Sequence, residues 1–119
     1  GILMLDKIEK LQRDICNNYG AAYLPIPRSS VIGISLNMRE SLGPINGFRH
    51  PPQGETTGWF LYAGEELKSD PDFFHPLHVG HLGSWCPVVE KFLGLPPGWR
   101  FLIAEDYLDV WYDDDLLII

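Results

Sequence analysis

The sequence predicts an α+β fold: an antiparallel sheet of about four strands, with helices packed on one face, ending in a β-hairpin. Three observations carry this. An amphipathic helical segment opens the chain, two short apolar runs follow at 31–36 and 59–63, and two adjacent strand-like runs, WRFLIA and YLDVWY, close it. The 119 residues correspond to a single domain, 1–119, without an internal repeat or a linker. An apolar content of 45% and a charged content of 21% fit a packed globule rather than a disordered chain.

The first element is a helix over about 2–18. Leu5, Ile8, Leu11 and Ile15 fall on one face at three- and four-residue spacing, and Asn17, Asn18 and Gly20 form a stop signal. AAYLPIPRSS then reads as an extended connection, because each proline disfavours the helical region for the residue before it. VIGISL, 31–36, reads as a strand. Residues 43–58 of GPINGFRHPPQGETTGWF read as a long Gly/Pro loop. Pro44, Pro51 and Pro52 argue against a regular helix or a central strand, and the four glycines suit turns. Phe48 and Trp59 are expected to pack beneath this loop and order it. WFLYA, 59–63, is nearly all apolar, as in a strand covered on both faces.

Asp70-Pro71-Asp72 carries a helix-start signal, and His75-Pro76 repeats it. Helical spacing of apolar residues continues from 77 to 93, with Pro87 expected to kink or split the helix and Gly94 to close it. The final hairpin spans about 99–112. If its loop is Glu105-Asp106, then Ala104 faces Tyr107, Leu102 faces Asp109 and Arg100 faces Trp111. The other face, Ile103 with Leu108, Phe101 with Val110 and Trp99 with Tyr112, is wholly apolar and should line the core.

A net charge of −7 argues against nonspecific nucleic-acid binding, which needs cations to replace phosphate counterions, and against adhesion to anionic membranes. Cys16 and Cys86 are too few and too unpatterned for a disulfide framework and read as free buried thiols. No basic segment followed by an apolar run marks a signal peptide, and no apolar run reaches the length of a membrane span. The expected location is the cytoplasm.

His75, His78 and His81, followed by Cys86, resemble a zinc-binding set in composition. On a helix, however, a three-residue step rotates successive side chains, so His75 and His81 diverge by roughly 120°. These histidines are therefore the alternative metal site, and no metal or other cofactor is assigned. Arg49 and His50, with Glu55 five residues on, could serve acid–base chemistry on an anionic substrate; the plainer reading makes Arg49 a structural anchor. No nucleophile elbow, P-loop or dinucleotide fingerprint is present. The acidic end differs: Asp106, Asp109, Asp113, Asp114 and Asp115 crowd beside Trp111 and Tyr112. Such a stretch is either a solvated strand end or a docking patch in which carboxylates steer a basic partner and aromatic rings supply the contact.

The strings GPINGFRHPP, TTGWF, DFFHPLHVGHL, LGLPPGWRFLIA and DYLDVWYD resemble a family of small bacterial immunity-protein-like domains of polymorphic toxin systems, over about residues 43–115. The resemblance implies a cytoplasmic, non-catalytic protein that binds and neutralises a cognate protein toxin, and it brings no catalytic residue with it. The acidic balance favours a basic toxin, such as a nuclease. Read with the residues, this nominates Phe48, Arg49, His50, Asp106, Asp109, Trp111, Asp113 and Asp114 for the partner contact. The alternatives are a small enzyme or metal-binding domain using His50 or the His75/His78/His81 set, and a scaffold module with a permanent partner.

Overall fold

A computed structural model describes residues 2–40, 43–54, 56–68 and 70–118, with side chains from residue 7 onward. Glu55 and the side chain of Leu5, both named above, lie outside the described residues. The helix α1 spans Ile2–Tyr19. It is followed by β1 (Val31–Ser35), β2 (Ile45–Arg49), β3 (Thr56–Ala63), β4 (Phe74–His78), the one-turn α2 (Leu82–Trp85), β5 (Trp99–Ala104) and β6 (Tyr107–Tyr112). Short 3-10 segments occupy Leu36–Glu40, Val79–His81, Pro87–Phe92 and Asp114–Leu117.

The fold is α+β, but the sheet has six strands rather than about four, in the order β4-β1-β3-β2-β5-β6. It is also mixed: β1 runs parallel to β3, and every other pair is antiparallel. Two strands escape the sequence reading. The expected 43–58 loop contains β2, a central strand between β3 and β5, with Pro44 before it and Pro51-Pro52 after it. Its glycine is a close-approach residue rather than a turn residue, since a Cβ on Gly47 would overlap the Phe101 ring. The expected helix start at Asp70 is a turn, in which the Asp72 amide donates to Asp70 Oδ1 (2.9 Å) and the Phe73 amide to the Asp70 carbonyl (3.0 Å). His75-Pro76 lies in β4, where an edge position tolerates proline.

The expected 77–93 helix survives only as fragments. Leu82, Cys86, Val89, Phe92 and Leu93 are buried at helical spacing, yet the backbone leaves the helical region at Cys86 (φ −160°) ahead of Pro87. This fragmented layer and α1 cover one face of the sheet, over Ile32, Ile34, Trp59, Leu61 and Phe101. The inward face of α1 is shifted from the expected one. Leu11 is half exposed, while Gln12 and Cys16 are buried. Gln12 is satisfied by donating to the Glu90 carbonyl (2.9 Å) and accepting from the Tyr23 hydroxyl (2.9 Å). Cys16 and Cys86 are free and buried, and burial pushes both thiols up.

The hairpin has the two-residue Glu105-Asp106 loop and the expected register throughout, from Ala104–Tyr107 to Trp99–Tyr112. Its core-side face is buried only in the middle. Phe101 and Val110 are inside, whereas Leu108 and Tyr112 are 45% and 50% exposed because the helical layer ends short of the sheet edge.

Gly58 has φ +89°, and a Cβ there would overlap the His50 carbonyl oxygen. Gly58→Ala is therefore expected to cost more than about 2 kcal/mol through backbone strain, and Gly47→Ala to be similarly harmful. Urea unfolding followed by tryptophan fluorescence reads both; a change within error for Gly58→Ala would contradict this placement of β2 against β3.

Candidate docking site

The candidate site lies on the sheet face opposite α1. On β3, Trp59, Leu61 and Ala63 point into the main core, so the alternation sends Phe60 and Tyr62 to the other side. There they meet Phe48 from β2 and Phe74 from β4, with Phe73 and Leu116 packing over them. Phe48 lies at the centre: its ring stacks on Phe60 at 5.6 Å and meets His50, Tyr62 and Phe74 edge-on at 5.5–6.3 Å. The expected ordering of the Gly/Pro segment by Phe48 and Trp59 thus takes a different form. The two residues serve opposite faces, and Trp59 Nε1 donates to the Leu93 carbonyl in the main core (3.1 Å).

The hairpin extends this aromatic face toward the sheet edge. The Arg100 guanidinium lies 5.6 Å from the Phe48 ring and 5.4 Å from the Trp111 ring, and its Nη1 donates to Asp113 Oδ2 at 3.1 Å. Its Nε is buried without a hydrogen-bond partner among the described residues, so the flanking rings supply part of its stabilisation. The other oxygen of Asp113 accepts from the Asp115 amide (3.1 Å) and caps the 3-10 turn Asp114–Leu117. His50 ties this turn down, with Nδ1–H donating to the Leu116 carbonyl (2.9 Å).

The structure therefore joins Phe48, His50, Trp111 and Asp113 through Arg100 and the C-terminal turn. Asp109 is half-buried on the same face, and Asp106 and Asp114 are exposed at its two ends. Arg49 does not belong here. It points to the opposite face and is 3% exposed. Its Nε donates to the Thr57 carbonyl (3.0 Å) and its Nη1 to those of Leu24 (3.0 Å) and Leu95 (2.7 Å). Burial lowers its pKa to about 10, so it stays charged at neutral pH. It is a strut. Phe60, Tyr62, Phe73, Phe74 and Leu116 were missed; the alternation within WFLYA was the available signal for the first two.

His75, His78 and His81 are distributed along the β4 edge. His75 is half-buried in β4, and His78 and His81 are exposed, with ring centroids 5.9 Å apart. Among the described residues, the group of acidic, histidine or cysteine side chains close enough to share a cation is Asp113, Asp114 and Asp115. Both carboxylate oxygens of Asp113 are already engaged, by Arg100 and by the Asp115 amide, so this group reads as a capped turn. A groove of about 750 Å³ lies elsewhere, between α1 and the fragmented layer, where Leu11 and Val88 are exposed beside Arg28 and Glu90. Partial burial there raises the pKa of Glu90, and Arg28 opposes the shift.

Arg49→Met leaves three carbonyls without their donor and should destabilise the protein by about 3 kcal/mol or more in urea unfolding; a loss under about 1 kcal/mol would show that the strut is dispensable. A raised folded pKa at Glu90 means that its favourable contribution is present in acid and lost as pH rises through the folded pKa. Glu90→Gln should accordingly raise the unfolding midpoint at pH 7 and change it little at pH 4; equal effects at both pH values would refute this.

A family model described as "Imm33-like domain" matches residues 11–113, which includes α1 from Leu11 onward, the whole sheet and the acidic hairpin. No curated protein and no solved structure matches the chain. Among the described residues, no helix is long and apolar enough to cross a membrane. With the match covering most of its length, the chain belongs to the Imm33-like domain family.

Proposed function

We propose that this chain is an immunity protein that acts in the bacterial cytoplasm as one domain, binding a cognate toxin directly and blocking it without catalysis. The membership in an immunity-like family over residues 11–113 carries the reading. The charge distribution supports a basic toxin. Between Trp99 and Ile118 there are six carboxylates, Glu105, Asp106, Asp109, Asp113, Asp114 and Asp115, against the single cation Arg100, so this segment holds −5 of the total −7. A strongly acidic hairpin beside an aromatic sheet face suits a partner that presents lysines or arginines around an apolar contact. The same charge disfavours nucleic acid and anionic membranes as partners.

Co-expression with the toxin domain encoded beside this gene should rescue growth, and the two proteins should co-purify. The dissociation constant should rise at least about tenfold between low salt and 0.5 M salt, because exposed carboxylates act through a screened field. The absence of both rescue and a complex would overturn the proposal. A complex insensitive to salt would refute the acidic–basic pairing.

A further inference from the structure

Resting on that reading, we infer that the outer edge of β6 is a strand-pairing site and takes an extended, lysine- or arginine-bearing segment of the toxin as a seventh strand.

The register fixes which backbone groups are available. In a two-residue hairpin the pair that closes the loop, here Ala104–Tyr107, exchanges hydrogen bonds, and such pairs alternate along an antiparallel ladder. Tyr107, Asp109 and Trp111 therefore turn their N–H and C=O groups toward β5, and Leu108, Val110 and Tyr112 turn theirs outward. The same alternation continues past the strand, where the Asp113 amide donates to the Gly98 carbonyl at 2.7 Å. β6 ends the sheet, and among the described residues no hydrogen bond reaches the outward groups of Leu108, Val110 or Tyr112.

The two edges of the sheet are treated differently. At the far edge, β4 contains Pro76, which withholds a donor and blunts the edge. β6 has no proline, and it presents exposed Leu108 and Tyr112 on one face and exposed Tyr107 beside Asp109 on the other. An added strand could rest side chains against either face.

Charge selects the occupant. A second copy of this chain is disfavoured. A two-fold axis at Val110, which brings the outward groups of Leu108 and Tyr112 together, would set Asp106 opposite Asp114 and Glu105 opposite Asp115 of the other copy, and like charges directly opposite one another destabilise a ladder. A basic strand meets the reverse situation, with carboxylates at both ends of β6 and Asp109 near its middle. Main-chain hydrogen bonds would supply affinity and the alternate side chains selectivity, as in other strand-addition complexes.

The test uses the full chain and the toxin domain encoded beside its gene. Amide hydrogen exchange should show Leu108, Val110 and Tyr112 slowed at least about tenfold in the complex. Leu108→Pro removes an outward donor and leaves the β5 ladder intact; it should weaken binding at least about tenfold while the circular dichroism stays unchanged. Asp106→Asn with Asp109→Asn should also weaken binding. A complex in which these three amides exchange freely would overturn the inference while leaving the inhibitor reading in place. Absence of any complex would overturn both. An Asp106→Asn/Asp109→Asn protein that binds the toxin as before but dimerises would show that the carboxylates only guard the edge, and would overturn the inference as well.

Discussion

The fold depends on one buried cation. Arg49 ends the central strand β2, and its guanidinium holds carbonyls from three separate segments: Leu24 in the connection after α1, Thr57 at the start of β3, and Leu95 in the turn before β5. Its own carbonyl accepts from the Gly98 amide (2.8 Å), which sets the approach of the chain into the hairpin. A guanidinium can do this because its donors are fixed in a plane and its charge is delocalised, so desolvation costs less than for an ammonium. No carboxylate among the described residues lies within ion-pair distance of it. The carbonyl dipoles do the work of a counter-ion, and the charge survives burial. The helical layer, the sheet centre and the hairpin are thereby located relative to one another by a single side chain.

A sheet anchored in this way can leave its second face to a much thinner cover. One side is closed by α1 and the fragmented layer; the other is closed largely by its own rings, with Phe73 and the C-terminal turn laid over them. Small residues make room for these rings. A Cβ on Gly33 would crowd the Phe60 ring, as one on Gly47 would crowd Phe101 on the core side. The Phe48–Arg100–Trp111 sandwich then passes from the closed aromatic cluster to the acidic hairpin, so that packing and charge meet at Asp113.

What the sequence discloses and what it hides follow from the range of the interactions. The opening helix and the hairpin register are local patterns, and WRFLIA-ED-YLDVWY contains enough alternation to place Arg100 over Trp111 from the pattern alone. β2 and β4 are hidden because Gly47 and Pro76 normally signal breaks. Only the non-local approach of Phe101 explains the glycine, and only the edge position of β4 makes the proline acceptable. The parallel β1–β3 pair is likewise beyond local reading, since nothing in either strand names its neighbour. For the site, the acidic residues and Trp111 were legible from composition. Arg49 was not assignable, because a strut and a contact residue look alike until burial is known. Phe73, Phe74 and Leu116 reach the site only through tertiary packing.

Concentrating charge on one edge has two physical consequences that act at different ranges. A six-residue strand is about 20 Å long, more than twice the screening length at physiological salt. For the basic partner proposed above, the carboxylates of the hairpin would therefore act less as one distant pole than as a graded line, orienting it along β6 as it arrives. At contact, the same line governs register. A strand that slides by two residues keeps its side chains on the correct faces, so main-chain bonding alone cannot choose among such registers. Asp109, flanked by acidic groups beyond both strand ends, makes those registers unequal for a partner with its own charge spacing. An edge that is open in its backbone and patterned in its charges can thus be adhesive toward one sequence and repellent toward copies of itself, with no change to the sheet behind it.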